Sequence, residues 1–319
     1  MTKSKLEISV NELIQQQQQE WELARNNYRA LDKAELKVFD FEGFKIHAQH
    51  NPERIRSSAA KTDAKSIAQR ACFLCVGNQP VEQRGFSFDG NYTILINPYP
   101  IFTKHLTIPL TEHLPQEIAP YLPGLLSLSK ALPEFTIFYN GPNCGASAPD
   151  HIHFQGGTKG QMPVDLEIKQ VVEKWGEPLF QSVRTSIKTL GKRYLRNLIC
   201  LTSNSEKELL DCIERILGLM NRRLDENEPM INILSAYEND QWTVVLFPRE
   251  QQRPQQFYAT GSDQILVSPA SVEMGGLMIL PRKEDFDKLN HRLLADIYRQ
   301  VSIHDGAFEE LKDQIKLEL

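Results

Sequence analysis

The densest concentration of chemistry in this sequence is residues 140–155, N-G-P-N-C-G-A-S-A-P-D-H-I-H-F-Q. His151, His153 and Gln155 stand at alternating positions. In an extended strand alternate side chains share one face. Two imidazoles and a carboxamide would then line one surface, while Ile152 and Phe154 turn into a core. The run before them holds Gly141 and Gly145, Pro142 and Pro149, and the small or polar Asn143, Ala146 and Ser147. Such a composition lets backbone N–H groups approach an anion closely. A nucleophilic histidine needs a neutral ring, one nitrogen free and the other donating to a fixed acceptor such as a backbone carbonyl. A glutamine two residues on donates its amide to a phosphoryl oxygen but cannot protonate a leaving group. The set favours a leaving group that needs no proton, such as a phosphate. It points to nucleotidyl transfer through a phosphoramidate rather than to simple hydrolysis. The competing reading is a pair of histidines on a half-buried structural strand.

The second constellation is Cys72-Phe73-Leu74-Cys75, followed by Val76-Gly77-Asn78. A CxxC pair is half a zinc site, a redox pair, or two unmetallated thiols. Zinc needs two more ligands, and His105, His113 and His151 are available. Two cysteines and two histidines would close the tetrahedron, so such a site would be structural. Residues 52–69 are basic and Ser/Ala-rich, and read as a mobile loop whose Arg54, Arg56 and Lys61 are solvated charges. Arg249, Arg253, Arg282 and Lys159 are possible phosphate partners but read as surface charges.

These residues need elements to hold them. Residues 6–31 read as one amphipathic helix with Leu13, Trp21, Tyr28 and Leu31 as anchors, and 39–47 as a strand. Strands are expected at 92–97, 105–109 and 135–139, with the next starting at 152, and a helix over 114–132. The second half repeats the order. It offers a strand at 194–202 and a helix at 205–224, with Ser205 and Glu208 at capping-box spacing. A hairpin over 231–237 and 242–247 turns at Glu238-Asn239-Asp240. Strands at 265–268 and 276–281 and a helix at 284–302 close the chain. The shared order of strands, helix, strands hints at an internal duplication.

The 319 residues suffice for a sizeable core and two domains. A hydrophobic content of 41% and a charged content of 24% are ordinary for a globular protein. The net charge of −5 gives no reason to expect nucleic acid or an anionic membrane as partner. No apolar run approaches the roughly 20 residues of a membrane helix. The N-terminus shows no signal core, so a cytoplasmic location is expected. Five cysteines argue against a disulfide framework.

The segment G-P-N-C-G-A-S-A-P-D-H-I-H-F-Q resembles the active-site signature of the histidine-triad-like nucleotidyltransferases and phosphorylases. These include the diadenosine tetraphosphate phosphorylases (ATP adenylyltransferases), the GDP-hexose phosphorylases and the galactose-1-phosphate uridylyltransferases. Cys72 to Asn78 is similar to the C-x-x-C-x-G-N zinc motif of the uridylyltransferases, and N-P-Y-P-I-F-T-K-H-L-T-I-P-L-T-E-H to the strand before the helix. The resemblance is strong over 92–155 and weaker elsewhere. It implies an α+β, histidine-triad-like fold, duplicated into two antiparallel-sheet halves with helices packed on one face. Residues 1–180 would carry catalysis and 181–319 complete the pocket.

The same resemblance makes His153 the residue that takes up the nucleotidyl group and Gln155 the one that holds the α-phosphate, with His151 in support. Asn140, Gly141, Asn143, Gly145, Ala146 and Ser147 would contact the nucleotide and its phosphates. Zinc would sit on Cys72, Cys75, His151 and His113, with His105 as alternative to His113. The substrates implied are a nucleotide or nucleotide-sugar with phosphate or a sugar phosphate. The reaction is phosphorolysis or hexose-1-phosphate exchange, and a non-catalytic nucleotide-binding protein is the alternative of another class. The active unit is a monomer or a homodimer. Asp150 departs from the pattern, standing where proline would directly precede histidine. It either raises the basicity of a neighbouring imidazole or is a solvated turn residue.

Overall fold

The computed structural model describes residues 4–54, 66–67, 69–224 and 226–319. Arg56 and Lys61 lie outside the described residues. Ten strands form one antiparallel sheet in the order β3-β4-β5-β7-β6-β11-β12-β10-β9-β8. The first five are β3 (Gly85–Phe88), β4 (Tyr92–Ile96), β5 (His105–Pro109), β6 (Phe135–Asn140) and β7 (His153–Thr158). The other five are β8 (Glu177–Gln181), β9 (Thr185–Leu190), β10 (Leu198–Ser203), β11 (Ile231–Glu238) and β12 (Gln241–Pro248).

Inward from each outer edge the strands run 3-4-5-7-6 and 8-9-10-12-11, so the two sets share one topology. Each also inserts a helix between its third and fourth strand: α3 (Leu122–Ala131) and α5 (Glu206–Leu219). The duplication hinted at by element order is therefore present in the connectivity. The sets meet where β6 pairs with β11, with Asn140 opposite Asn232. A second, three-stranded sheet joins the hairpin β1 (Glu35–Phe41) and β2 (Phe44–His50) to β13 (Leu277–Leu280), which runs parallel to β2.

Strand alternation gives the large sheet two apolar faces. Ile94, Ile108, Ile137, Phe154, Ile199, Ile233 and Leu246 turn one way. They pack under α1 (Lys5–Glu20), α2 (Glu22–Leu31), α3, α5 and α10 (Asp305–Glu318). Phe138, Cys200, Leu234, Val245 and Phe247 turn the other way. There they meet the small sheet with α4 (Pro163–Trp175) and α9 (His291–Val301). Helices thus lie on both faces.

Several boundaries differ from the sequence reading for local reasons. The helix expected over 6–31 breaks at Trp21, whose ψ of 109° is extended and whose ring is buried. The strand expected at 39–47 is a hairpin that turns at Gly43 (φ +89°), where a Cβ would stand 2.6 Å from the Trp175 ring. Pro115, Pro120 and Pro123 delay the helix expected from 114 until Leu122. The helix expected at 284–302 is two, parted at Asn290, which caps the second. No strand forms at 265–268. The hairpin at 238–240 turns as read, with Asn239 and Asp240 both at positive φ, the pair of angles a type I′ turn needs.

Candidate functional site

The site gathers where β6 and β7 separate. Their pairing stops at Phe138 opposite Gln155, and Gln116 enters the gap. Its Nε2 donates to the carbonyls of Asn140 (2.9 Å) and His153 (3.2 Å), and its Oε1 accepts from the His153 N–H (2.9 Å). The splayed strand ends are thereby kept satisfied without a ladder. Nothing in the spacing of the sequence singled out Gln116.

His153 and Gln155 share the face of β7 opposite Phe154. His151 precedes the strand, and its ring lies against Cys72, Cys75 and the Leu110 carbonyl. The His153 Nδ1 lies 2.8 Å from the His151 carbonyl. Donation there leaves Nε2 as the unprotonated nitrogen of a neutral ring. Burial pushes the imidazole down to about 4, against the pull of that carbonyl, so the neutral form dominates near pH 7.

His105, the alternative metal ligand of the sequence reading, does other work. Its Nδ1 accepts from the Ile101 N–H (3.2 Å), and its Nε2 lies 3.0 Å from Oε1 of Gln155. With Nδ1 accepting, the single proton sits on Nε2 and is donated to Gln155. The glutamine amide is thus turned outward as a donor. Burial, with the charge of Arg54, holds His105 down to about 3, so it stays neutral.

The candidate metal centre is formed by Cys72, Cys75, His113 and His151, whose ligand atoms lie within 4.8 Å of one another. Cys72 Sγ is 3.4 Å and Cys75 Sγ 3.6 Å from His151 Nδ1, and Cys75 Sγ is 3.2 Å from His113 Nδ1. Tetrahedral zinc with ordinary Zn–S and Zn–N bonds has S···N edges of about 3.6 Å. The four residues fit a metal ion of that kind. The His151 Nε2 lies 2.8 Å from the Leu110 carbonyl, the outer partner that fixes a metal-binding imidazole.

The loop over residues 140–147 is less exposed than its polar composition implied. Cys144, Ala146 and Gly141 are buried, and Asn143 is exposed. The Asn143 amide donates to Glu226 (2.9 Å). The Asn140 Oδ1 is taken by Asn232 Nδ2 (3.1 Å) and the Ser271 N–H (2.8 Å). Gly145 is at φ +97°, and a Cβ there would lie 2.4 Å from that of Ala270. Asp150 is more than a solvated turn residue. Its Oδ1 accepts from Arg70 Nη2 (3.0 Å), and its Oδ2 is 3.8 Å from His113 Nε2.

Two cations lie near these residues: Arg70 pairs with Asp150, and the charge of Arg54 acts on His105. Arg70 Nη2 also donates to the Ser147 carbonyl (3.2 Å), while Arg54 Nη1 donates to that of Tyr99 (2.6 Å). Arg54 Nε and Arg70 Nη1 are shut from solvent with no hydrogen-bond partner among the described residues. The composition of 52–69 hid Arg54 among solvated charges. Its charge acts on His105, and burial lowers its guanidinium to about 10. Arg249, read as a surface charge, is 5% exposed. Lys159 donates to the Tyr237 carbonyl (3.3 Å), and Arg282 pairs with Asp285 (2.7 Å).

Residues 13–158 match the model of a domain of unknown function, DUF4922, and residues 181–319 match the GDPGP1-like C-terminal domain. No curated protein matches this chain. Among solved structures, yeast Ap4A phosphorylase Apa2 superposes with a TM-score of 0.57 at 16% identity, covering 88% of this chain and 93% of that one. Apa2 in complex with Ap4A gives 0.53 at 16% identity, with 88% and 96% covered. Apa2 in complex with AMP gives 0.51 at 14% identity, with 91% and 97% covered. At such identities the likeness is one of fold. No helix among the described residues is long and apolar enough to cross a membrane. The chain has an α+β, histidine-triad-like fold shared with yeast Ap4A phosphorylase Apa2, and its residues 181–319 match the GDPGP1-like C-terminal domain.

Proposed function

We propose that this protein is a nucleotidyl-transferring phosphorylase that works through a covalent nucleotidyl-His153. Its substrate class is a nucleoside diphosphate-sugar or a dinucleoside polyphosphate. The observation that carries this reading is the His153 ring, held neutral by burial with Nδ1 on the His151 carbonyl. Its free Nε2 attacks the α-phosphorus, the P–N bond forms, and the P–O bond to the remaining phosphate breaks. The leaving group departs as a phosphate and takes no proton from Gln155, which has none to give. Gln155, aimed by His105, donates to an α-phosphoryl oxygen. In the second step an oxygen of inorganic phosphate or a sugar phosphate attacks the same phosphorus, and Nε2 recovers its pair. Arg54 Nε and Arg70 Nη1, which have no hydrogen-bond partner among the described residues, would neutralise the incoming and departing phosphates. Asn140, Gly141, Asn143, Gly145, Ala146 and Ser147 form the wall along which the phosphates lie. Residues 1–180 supply the reacting groups, and 181–319 close the pocket.

Zinc is the ion we assign to Cys72, Cys75, His113 and His151. It would tie the end of β7 to the segment 72–78 and fix the His151 carbonyl on which His153 depends. The expected partners are the nucleotide substrate and phosphate or sugar phosphate, and the expected location is the cytoplasm.

The deciding experiment is incubation with radiolabelled UDP-glucose, GDP-hexose and diadenosine tetraphosphate. Acid-labile label retained by the wild type and lost in His153→Ala supports the reading and identifies the nucleotide. Binding of a nucleotide without label on any of the three would overturn it in favour of a non-catalytic nucleotide-binding protein.

A further inference from the structure

The proposed phosphate loop belongs to the first set of strands and takes Gln116 and Arg70 on the carbonyls of Asn140 and Ser147, yet the side chains on Asn140 Oδ1 and the Cys144 carbonyl come from the second half. Asn232, on β11, uses both amide hydrogens on that loop: one on Asn140 Oδ1 (3.1 Å), one on the Cys144 carbonyl (2.8 Å). Its own Oδ1 accepts from Arg249 Nη1. All five donors of Arg249 are used. Beyond Asn232, Nε goes to the Val301 carbonyl (2.9 Å) and Nη1 to that of Pro269 (3.0 Å). Nη2 goes to the carbonyls of Gln251 (3.1 Å) and Gln252 (3.2 Å). The Pro269 contact matters because the next two residues press on the same loop. Ala270 lies against Gly145, and Ser271 donates from N to Asn140 Oδ1 (2.8 Å) and from Oγ to the Tyr139 carbonyl (2.6 Å).

One guanidinium therefore orients both supports of the loop, the Asn232 amide and the 269–271 turn. Asn232 and Ser271 are fully buried, and Arg249 nearly so. The arrangement is over-determined for a surface loop, where a single hydrogen bond contributes about 1 kcal/mol. Catalytic loops gain rate when such outer contacts remove their freedom.

From this geometry we infer that Asn232 and Arg249 are positioning residues for nucleotidyl transfer. Through them the second half, which supplies no nucleophile, sets the shape of the phosphate loop. The inference rests on the proposed nucleotidyl transfer for its kinetic consequence, but not for its structural one.

Asn232→Asp keeps the acceptor for Arg249 and replaces the donor facing the loop by an oxygen. Asn232→Ala deletes the donor without adding charge and is read alongside it. Asn197→Ala is the control. That side chain lies in the same half and donates to the Ile303 carbonyl and Asp305, away from the loop.

Amide hydrogen exchange over 141–147 should quicken by roughly tenfold in both Asn232 variants and stay unchanged in the control. The rate of labelling of His153 at saturating substrate should fall by about tenfold or more in the same two variants. Exchange quickened equally throughout the sheet in the Asn232 variants would mark a general loss of stability and overturn the inference. Wild-type exchange over 141–147 in both Asn232 variants overturns the inference. If the wild type itself takes no label, the functional reading fails, and the exchange result still decides the structural claim.

Discussion

At the scale of single residues the site works by assigning one proton to each ring. His105 puts its proton on Gln155, and His153 puts its own on the His151 carbonyl. Both assignments require uncharged imidazoles, which burial enforces. His153→Ala should therefore lose activity on the order of 10⁴-fold or more, the scale on which an enzyme loses its nucleophile, while the melting temperature stays near that of the wild type. His105→Phe keeps the ring volume and removes the bond to Gln155. Steady-state phosphorolysis should drop by roughly tenfold to a hundredfold with the far-UV spectrum unchanged. Glu228 has a different consequence. It accepts from Tyr139 (2.8 Å) and from the Ile118 N–H (2.7 Å), and burial lifts its carboxyl to about 7. The unfolded carboxyl titrates near about 4.3, so the folded protein holds that proton more tightly. Its contribution to stability is complete below about pH 4 and is lost as pH rises through about 7. Glu228→Gln cannot ionise, and the difference in melting temperature between about pH 5 and about pH 8 should narrow.

At the scale of elements, what the sequence made legible followed its periodicity. β5 falls on 105–109 as read, and the hairpin at 238–240 turns on two residues whose side chains tolerate positive φ. The pair Cys72 and Cys75 meets His113 and His151, the latter two residues before β7, through direct sulfur–imidazole contacts. Outer strands escaped notice. β3 is only four residues and half exposed, and β8 starts Glu-Pro with a bulge between Pro178 and Phe180, so neither shows clean alternation. The role of Gln116 was equally hidden, since a lone glutamine in a loop has no pattern and gains its meaning from the gap it fills. Two outcomes belong here. Gly145→Ala meets both a left-handed backbone and the Ala270 Cβ at 2.4 Å. The left-handed conformation alone costs about 1–2 kcal/mol. Substrate KM should rise in this variant before global stability falls much. Cys75→Ser should lower bound zinc, measured by inductively coupled plasma mass spectrometry, from about one ion per chain to well below it. It should also lower activity, because the His151 carbonyl loses its tether.

At the scale of the whole molecule, the two strand sets are neither separate beads nor a chance pairing. They share one topology and one hydrogen-bonded sheet, and the seam between them is β6 against β11. β6 is buried at all six positions. Taken alone the first set would expose that apolar strand as an open edge, the arrangement that invites aggregation. It would also lose β13 from the small sheet and the Asn232 and Ser271 contacts to the loop over 140–147. The chemistry is unequal across the seam. The first set carries His153, Gln155 and the cysteine pair, while the corresponding β12 reads Q-W-T-V-V-L-F-P and carries no histidine. A natural place to cut is Gly176, since α4 ends at Trp175 and β8, from Glu177, pairs only with β9. Residues 1–176 expressed alone should be insoluble or molten, with exchange-labile amides throughout β6. Co-expressed with 177–319, they should co-purify as a one-to-one complex and recover labelling of His153. A soluble, well-dispersed 1–176 fragment that takes label unaided would show the second half to be dispensable, and the positioning role of Asn232 would fall with it.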